Sequence, residues 1–433
     1  MTATGDTEGH ISHRERGTEY NEKVTFYDPM SPATLDDPFP AYERLRAECP
    51  VHHHSSFTPP FFTVTRYDDV VGVLHDVEAW SMKYGPSPQY TRGSGLVSDP
   101  PEHTEFRRLF IRGFTPRTVG GLEAELAQIA TDLIDRVAPA GRADFHAAFA
   151  YPFPMTVIAR LLGIAEDDLD LFAEMSDDLT RTYNLPDPHA SGPARARLDA
   201  YFQRQIDHRR GLLIAAGIDH PTDEHLGVVV PNDMISGFVV AEYQGRRLTD
   251  HEMLWVLLLL MLGGNETSTA LLTNLLWRLL EVPSRWAALR SDPLLIDVAI
   301  EESLRYDPPV LGLFRTATHD VDLHGVAVPA KAKMMVCYAS ANRDPAQWDD
   351  PDNFRLDRSL AVARGHLSFG FGHHFCPGAA LARLEARIAL RLLLDRFPDL
   401  HLDGPHTRIE AFNLWGRATL PLAWEPSRDG RRP

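Results

Sequence analysis

From Glu102 onward, apolar positions recur with a helical period over roughly two hundred residues. Helices are predicted over Gly120–Val137, Pro154–Leu162, Asp168–Leu179 and Ala194–Ala216. Pro100-Pro101 closes the preceding segment and starts the helix at Glu102. Gly217 is placed to cap the fourth helix, so Gly217–Asn232 reads as a break. The chain before Glu102 is mixed. Pro40–Glu48 reads as a first amphipathic helix, Phe61–Thr65 as a strand and Tyr67–His75 as a short helix. Lys83–Asp99 is rich in Gly, Pro, Ser and Tyr and reads as a long irregular loop, of the kind that often forms a lid. Phe238–Glu242, followed by Gln244-Gly245, reads as a strand or hairpin edge. The pattern predicts a mainly α fold with small β-sheets, an α+β class.

One helical pattern breaks its own rules. Thr249-Asp250-His251-Glu252 is a capping box that opens a helix predicted to run about thirty residues, to Pro283. Inside it stands Gly263-Gly264-Asn265-Glu266-Thr267-Ser268. Paired glycines, an acid and two hydroxyl residues are poor choices for a buried helix interior. Such a local conflict is expected where function overrides stability. Glycines would let a planar group approach the backbone, and a widened turn would admit water or oxygen. Thr267 could then donate to a bound oxygen and Glu266 relay protons. A merely kinked packing helix is the alternative.

A second conflict surrounds Cys376, in Phe369-Gly370-Phe371-Gly372-His373-His374-Phe375-Cys376-Pro377-Gly378. Its glycines permit a tight fold around a bulky group. The helix predicted from Pro377–Gly378 would aim its N-terminal dipole at the sulfur and favour a thiolate, a strong iron ligand. Glu302 and Arg305 lie three apart on one helix face and can pair. Tyr306-Asp307-Pro308-Pro309 ends that helix.

Composition narrows the class. Net charge of −17 over 433 residues argues against general nucleic-acid binding. Three cysteines, Cys49, Cys337 and Cys376, suggest no disulfide framework and fit a reducing cytoplasm. The first residues lack a secretion pattern, and Met253–Gly264, the longest apolar stretch, is too short to span a bilayer. With no linker or repeat, one domain over 26–433 is expected, behind a disordered polar segment 1–25. His52-His53-His54 is expected on a solvent-facing turn rather than at a metal.

The cysteine run resembles the haem-binding loop of the cytochrome P450 superfamily, Phe-Gly-x-Gly-x-His-x-Cys-x-Gly. Gly263–Thr267 resembles that family's oxygen-binding motif, and Glu302-Ser303-Leu304-Arg305 its Glu-x-x-Arg pair. The landmarks keep the family's order from about Asp37 to about Trp424. The resemblance implies a cytochrome P450 fold with a long central helix over a haem and the thiolate loop below. It implies a soluble bacterial, and more narrowly actinobacterial, member carrying haem b (iron protoporphyrin IX), with Cys376 as iron ligand.

Further roles follow from the resemblance alone. Thr267 and Glu266 would be catalytic. His103, Arg107, Arg315 and His374 would hold the propionates, with Gly264, Phe369 and Gly378 also against the cofactor. Glu302 and Arg305 would brace the region behind it. The usual third arginine of that brace is replaced by Asn353, which leaves Arg358 as candidate. Substrate would meet Tyr90, Leu259, Gly263, Val310, Leu311, Leu313, Asn413, Leu414 and Trp415, with the Met82–Val97 loop, Thr182–Leu185 and Arg92 nearby. The implied activity is hydroxylation or epoxidation of a hydrophobic terpenoid, steroid or polyketide-type compound, using O2 and two electrons from a ferredoxin and its reductase. The protein would be a cytoplasmic monomer without nucleic-acid or membrane partners. Arg108, Arg112, Arg364, Arg383 and Arg387 would form the ferredoxin-docking patch. A peroxide-dependent peroxygenase and a non-catalytic haem or electron-transfer protein are the rival readings.

Overall fold

The computed structural model describes residues 27–91, 93–183 and 191–426. The segment expected to be disordered, 1–25, lies outside the described residues. A helical body is built from Glu102–Phe110, Glu123–Val137, Pro152–Leu162, Leu169–Tyr183, Gly192–Ala215, Leu295–Tyr306 and Ala379–Arg396, packed around a split central helix, Asp250–Gly264 and Glu266–Glu281. The stretch Asp250–Glu281 has the length and apolarity to cross a membrane, yet 67% of its most apolar window is buried within the fold.

Beside this body lies a five-stranded sheet, in the order Val51–His54, Phe61–Val64, Lys333–Val336, Leu313–Ala317, Trp80–Ser81. Neighbours are antiparallel except Phe61–Val64 with Lys333–Val336, which run parallel. Met334 pairs with Arg315 and Lys333 with Thr316, which places two cations on adjacent central strands.

The capping box at Thr249 forms as expected: Thr249 Oγ1 accepts from Glu252 N, and Thr249 N donates to Glu252 Oε2. Gly217 has φ +71 after the Gly192–Ala215 helix. Four expectations need correction. The Gly120–Val137 pattern is two helices, because Thr115 caps and Pro116 starts a separate turn over Pro116–Gly120. A helix at Pro32–Asp36 precedes the one expected to be first, which spans Phe39–Glu48. Phe238 is helical, in Met234–Val240, since the Asp233 carboxylate caps Ser236 N at 2.7 Å. The hairpin shrinks to Glu242–Tyr243 and Arg246–Arg247 around Gln244 (φ 51°) and Gly245 (φ 74°). Lastly, the histidine triad forms a strand rather than an exposed turn. His52 and His54 are buried against Tyr27, while His53 stacks on Phe62 at 4.3 Å. Burial, reinforced by His53, pushes His52 down to about 4, so the cluster packs as neutral rings. Among the described residues no His/Cys/Asp/Glu cluster suits a metal ion.

Candidate active site

The cysteine loop closes on itself through Cys376 N donating to Phe369 O at 2.8 Å and Phe375 N donating to Gly372 O at 3.1 Å. Gly370 and Gly372 take φ +71 and +68, where a Cβ is strained. A Cβ on Gly372 would also come within 3.2 Å of Leu74 O. Gly378 is the N-cap of the Ala379–Arg396 helix. Cys376 helps line a concave surface of about 400 Å³ with Arg107, Ile111, Phe114, Phe375 and Pro377. Burial raises the Cys376 thiol above its usual range, although Gly378 N–H, Arg107, Arg383 and Ala379 N–H pull the other way. The expected thiolate is therefore not favoured by the helix terminus alone; a coordinated metal deprotonates a thiol outright.

Close to this loop two imidazoles and two guanidiniums, those of His103, His374, Arg107 and Arg315, bear on one another. His103 is 1% exposed, and neither ring nitrogen has a hydrogen-bond partner. Its ring lies 4.1 Å from that of His374. Burial, then the Arg107 charge, pushes His103 down to about 4; burial, then Arg315, pushes His374 to about 2. Arg107 Nη2 donates to Phe375 O at 2.6 Å. Arg315 is buried on its strand and makes no ion pair among the described residues, bonding Phe314 O at 2.9 Å and Met82 Sδ at 3.1 Å. Buried polar groups and charges without partners are costly. The orphaned His103 imidazole and the buried Arg315 guanidinium, which has no ion pair among the described residues, fit an anionic edge such as the haem propionates.

The long helix does break where the sequence breaks its rules. Asn265, at φ −95 and ψ −68, separates Asp250–Gly264 from Glu266–Glu281. Thr267 Oγ1 donates to Gly263 O at 2.7 Å, filling the carbonyl that the widened turn releases. The two glycines differ. A Cβ at Gly263 would meet nothing within 4 Å, whereas one at Gly264 would press on Ile158 at 3.1 Å. Gly263 is thus the open position, and Gly264, expected against the cofactor, packs closely on Ile158 of Pro152–Leu162. Burial, then the charge of Asp177, raises Glu266 to about 7.

Glu302 and Arg305 are fully buried and paired, Nε to Oε2 and Nη2 to Oε1, both at 2.8 Å. Arg358 Nε joins Oε1 at 3.2 Å. Asn353 contributes only its carbonyl, which accepts from Arg305 Nη2 at 3.0 Å. A second buried acid, Glu301, was not singled out by sequence. It takes Arg383 in a bidentate pair at 2.6 and 2.8 Å and His366 at 3.0 Å. Burial would raise Glu301, but His366 and Arg383 hold it to about 2. Arg383 also lies 4.6 Å from the Phe369 ring centroid, so this pair supports the cysteine loop. Glu301's only sequence signal is adjacency: in Glu301-Glu302 one acid had to face away from Arg305.

The expected docking patch is reduced by the same pairs. Arg383 belongs to Glu301, and Arg387 bonds Asp297 at 2.8 Å. Arg364 is half exposed, 3.5 Å from Glu301, and Arg108 is exposed at the surface. The Arg112 side chain lies outside the described residues.

The expected substrate residues split. A bridge pairs Val310 with Leu414, and Leu311 N donates to Asn413 O at 2.9 Å, so the loop after Pro309 does meet the C-terminal segment. Asn413 Oδ1 is buried without a partner. Leu259 and Leu313 are half-buried. Leu311 and Trp415, however, belong to a packed cluster with Phe39, Tyr42, Cys49 and Cys337, and Trp415 Nε1 donates to Asp307 Oδ1 at 3.0 Å. They are core residues. Tyr90 is 53% exposed and its hydroxyl donates to Lys331 O, which fastens the irregular loop to the sheet. Below it is Lys333, also missed by sequence. Lys333 is 0% exposed, and Nζ donates to Tyr84 O at 2.7 Å and Gly85 O at 3.0 Å. Arg92 and the side chains of Thr182 to Leu185 lie outside the described residues.

A family model described as Cytochrome P450 matches residues 49–415. Cytochrome P450 monooxygenase PikC of Streptomyces venezuelae is 37% identical, over 96% of this chain and 99% of that protein. A Steroid C26-monooxygenase of Mycobacterium tuberculosis is 34% identical over 89% of this chain and 94% of its own length. Among solved structures, the bacillaene polyketide synthase cytochrome P450 PksS of Bacillus subtilis 168 matches with TM-score 0.81 and 31% identity, over 92% of this chain and 99% of that one.

Proposed function

The chain belongs to the cytochrome P450 family, and on that premise we propose that it hydroxylates or epoxidises a hydrophobic polyketide-, steroid- or terpenoid-type compound with electrons from a ferredoxin. The family's activity is monooxygenation and its cofactor is haem b. Bound here, haem would supply the redox-active iron at which dioxygen is reduced. Cys376 would ligate that iron, and His103, Arg107, Arg315 and His374 would hold the propionates.

The observation that carries the reading is the break at Asn265. It leaves open space at Gly263 and a hydroxyl, Thr267 Oγ1, hydrogen-bonded to the released carbonyl. From there Thr267 can hold a proton at the reaction side of the helix. Glu266, raised to about 7, carries a carboxyl proton through about half of its molecules at neutral pH, so it can resupply Thr267. That acid–hydroxyl pair favours dioxygen over peroxide as oxidant. The substrate class rests on the apolar positions Leu259, Val310, Leu313 and Leu414 with Asn413 as a polar point, and on relatives named for polyketide and steroid systems. Ferredoxin would dock on the concave face over Cys376. We read the chain as one cytoplasmic domain over 26–433, acting as a monomer.

The test is NADPH-driven turnover with a ferredoxin and its reductase against a panel of polyketides, steroids and terpenoids. Product should carry one oxygen from O2, and Thr267→Ala should still bind substrate but divert electrons to hydrogen peroxide. Wild-type coupling in Thr267→Ala, or turnover equally efficient with peroxide alone, refutes the reading.

A further inference from the structure

The second half of the central helix, Glu266–Glu281, holds a polar side chain in an apolar stretch. Asn274 is 0% exposed, and its Oδ1 has no hydrogen-bond partner. A buried acceptor left unmet is costly, so this side chain is kept for its donors. Nδ2 donates to Trp415 O at 2.9 Å and to Asp307 O at 3.2 Å. The amide can sit only this way round, because its oxygen could not face two carbonyls. Those two carbonyls bound separate loops, 308–313 and 411–415, and the loops are zipped together. Leu311 N donates to Asn413 O at 2.9 Å, Trp415 N to Pro309 O at 2.9 Å, and Val310 bridges Leu414. Trp415 Nε1 closes the ring on Asp307 Oδ1 at 3.0 Å. The next residue, Gly416, lies so close to the helix that a Cβ there would come within 2.7 Å of Ala270 Cβ, one turn before Asn274.

We propose that Asn274 is a positioning residue for regiochemistry: it indexes both loops to the helical turn that carries Thr267, and so sets which part of a substrate meets the oxygen. This rests on the reading of Thr267 and of these loops as the reaction site. Thr267, Ala270 and Asn274 are three and four residues apart, so they share one helix face. At 1.5 Å per residue they span about 10 Å. The break at Asn265 lies before Thr267, so nothing interrupts the helix between the hydroxyl and the clamp. The base of the clamp is fixed as well. Asp307 is 0% exposed and is held by Arg278 Nε at 2.5 Å and Arg343 Nη2 at 3.5 Å. Within the zipped pair the residues divide by face. Leu311 and Trp415 are buried as anchors, whereas Val310, Leu313, Asn413 and Leu414 stay half-buried on the working edge. Trp415 therefore acts on selectivity through its anchoring bonds rather than by touching substrate. Loosening the clamp shifts both working edges together, relative to Thr267.

Two variants test this in the haem-loaded protein. Asn274→Leu keeps the side-chain bulk and removes both donors. Trp415→Phe keeps an aromatic ring and removes only the bond to Asp307 Oδ1. Titration with 1-, 2- and 4-phenylimidazole, whose phenyl rings leave an iron-bound nitrogen in different directions, reads the shape of the roof over the iron. It needs neither substrate nor redox partner. The ratios among the three Kd values should change about three- to tenfold in Asn274→Leu, the worth of one hydrogen bond, and less but in the same sense in Trp415→Phe. Amide hydrogen exchange at Leu311 and Trp415 should speed up together. On any compound that the wild type oxidises, the ratio of product isomers should change at constant haem content. Unchanged Kd ratios in both variants, with only Tm lowered, overturn the inference and make Asn274 a packing residue. If Asn274→Leu does not take up haem, Trp415→Phe decides alone. A wild type that oxidises nothing on the panel removes the proposed function, while the azole ratios still judge the clamp.

Discussion

Replacing Glu302 tests the brace behind the cysteine loop. Glu302 accepts four hydrogen bonds: Arg305 Nε at 2.8 Å, Arg305 Nη2 at 2.8 Å, Arg358 Nε at 3.2 Å and Arg355 N at 2.9 Å. Arg305 is saturated as well, since its remaining N–H groups reach Asn342 O, Pro351 O and Asn353 O at 2.8 to 3.0 Å. Both side chains of the pair are 0% exposed and that of Arg358 is 4% exposed. Glu302→Ala therefore strands two guanidiniums away from water. Breaking a buried pair from one side costs about 3–5 kcal/mol, and here two cations and one amide lose their acceptor. Glu302→Gln keeps the shape and some bonds and should cost less. Arg358→Ala should cost least, because Arg305 still compensates Glu302. The damage is expected to reach the cysteine loop: Asn342, held by Arg305, accepts from Leu367 N at 2.7 Å and donates to Ser368 Oγ at 2.9 Å, one residue before Phe369. Urea unfolding followed by far-ultraviolet circular dichroism gives the energies, and the haem-to-protein ratio after gel filtration gives the loop's integrity. A Glu302→Ala variant within about 1 kcal/mol of wild type that keeps its haem would refute the argument, since an exposed pair is worth no more than that.

Further outcomes concern three cations, Lys333, Arg364 and Arg383. Burial, then Arg315, pushes Lys333 down to about 7, so between about pH 7 and pH 10 the unfolded chain binds the extra proton and stability rises with pH. Lys333→Met should flatten that rise in a thermal-melt series and loosen the Tyr84-Gly85 loop to proteolysis; an unchanged pH slope counts against it. At the docking face, Arg364→Glu should raise the apparent KM for ferredoxin and reduce its salt dependence. Arg383→Glu, placed against buried Glu301, should instead lower Tm and haem content; equal, purely kinetic effects of both would show that Arg383 is a free surface charge.

What could be read from sequence was where chemistry forces residues that a helix or turn would not choose. Gly263–Ser268 and Gly370–Cys376 conflict with local propensity, and both mark structural breaks: a split helix and a loop with two positive φ angles. Helix positions were legible for the same reason, with Tyr67–His75 matching residue for residue. What was not legible depended on partners far along the chain. Asp233 turned a β-rich run into a helix with one hydrogen bond. Leu311 and Trp415 are apolar and adjacent to the right loop, but which face of the loop they take is set by Phe39 and Tyr42, hundreds of residues earlier.

Charge shows this most sharply. Read as a list, Arg364, Arg383 and Arg387 form a basic patch on an acidic protein. Folded, Arg383 and Arg387 are neutralised by Glu301 and Asp297 from the Leu295–Tyr306 helix, so they hold the cysteine helix to its neighbour rather than project a field. A formal charge projects outward only when no internal partner is within reach. An acidic ferredoxin docking as proposed would then be steered toward a chain of net charge −17 by few cations, and shape at the concave surface over Cys376 would have to supply the rest of the specificity.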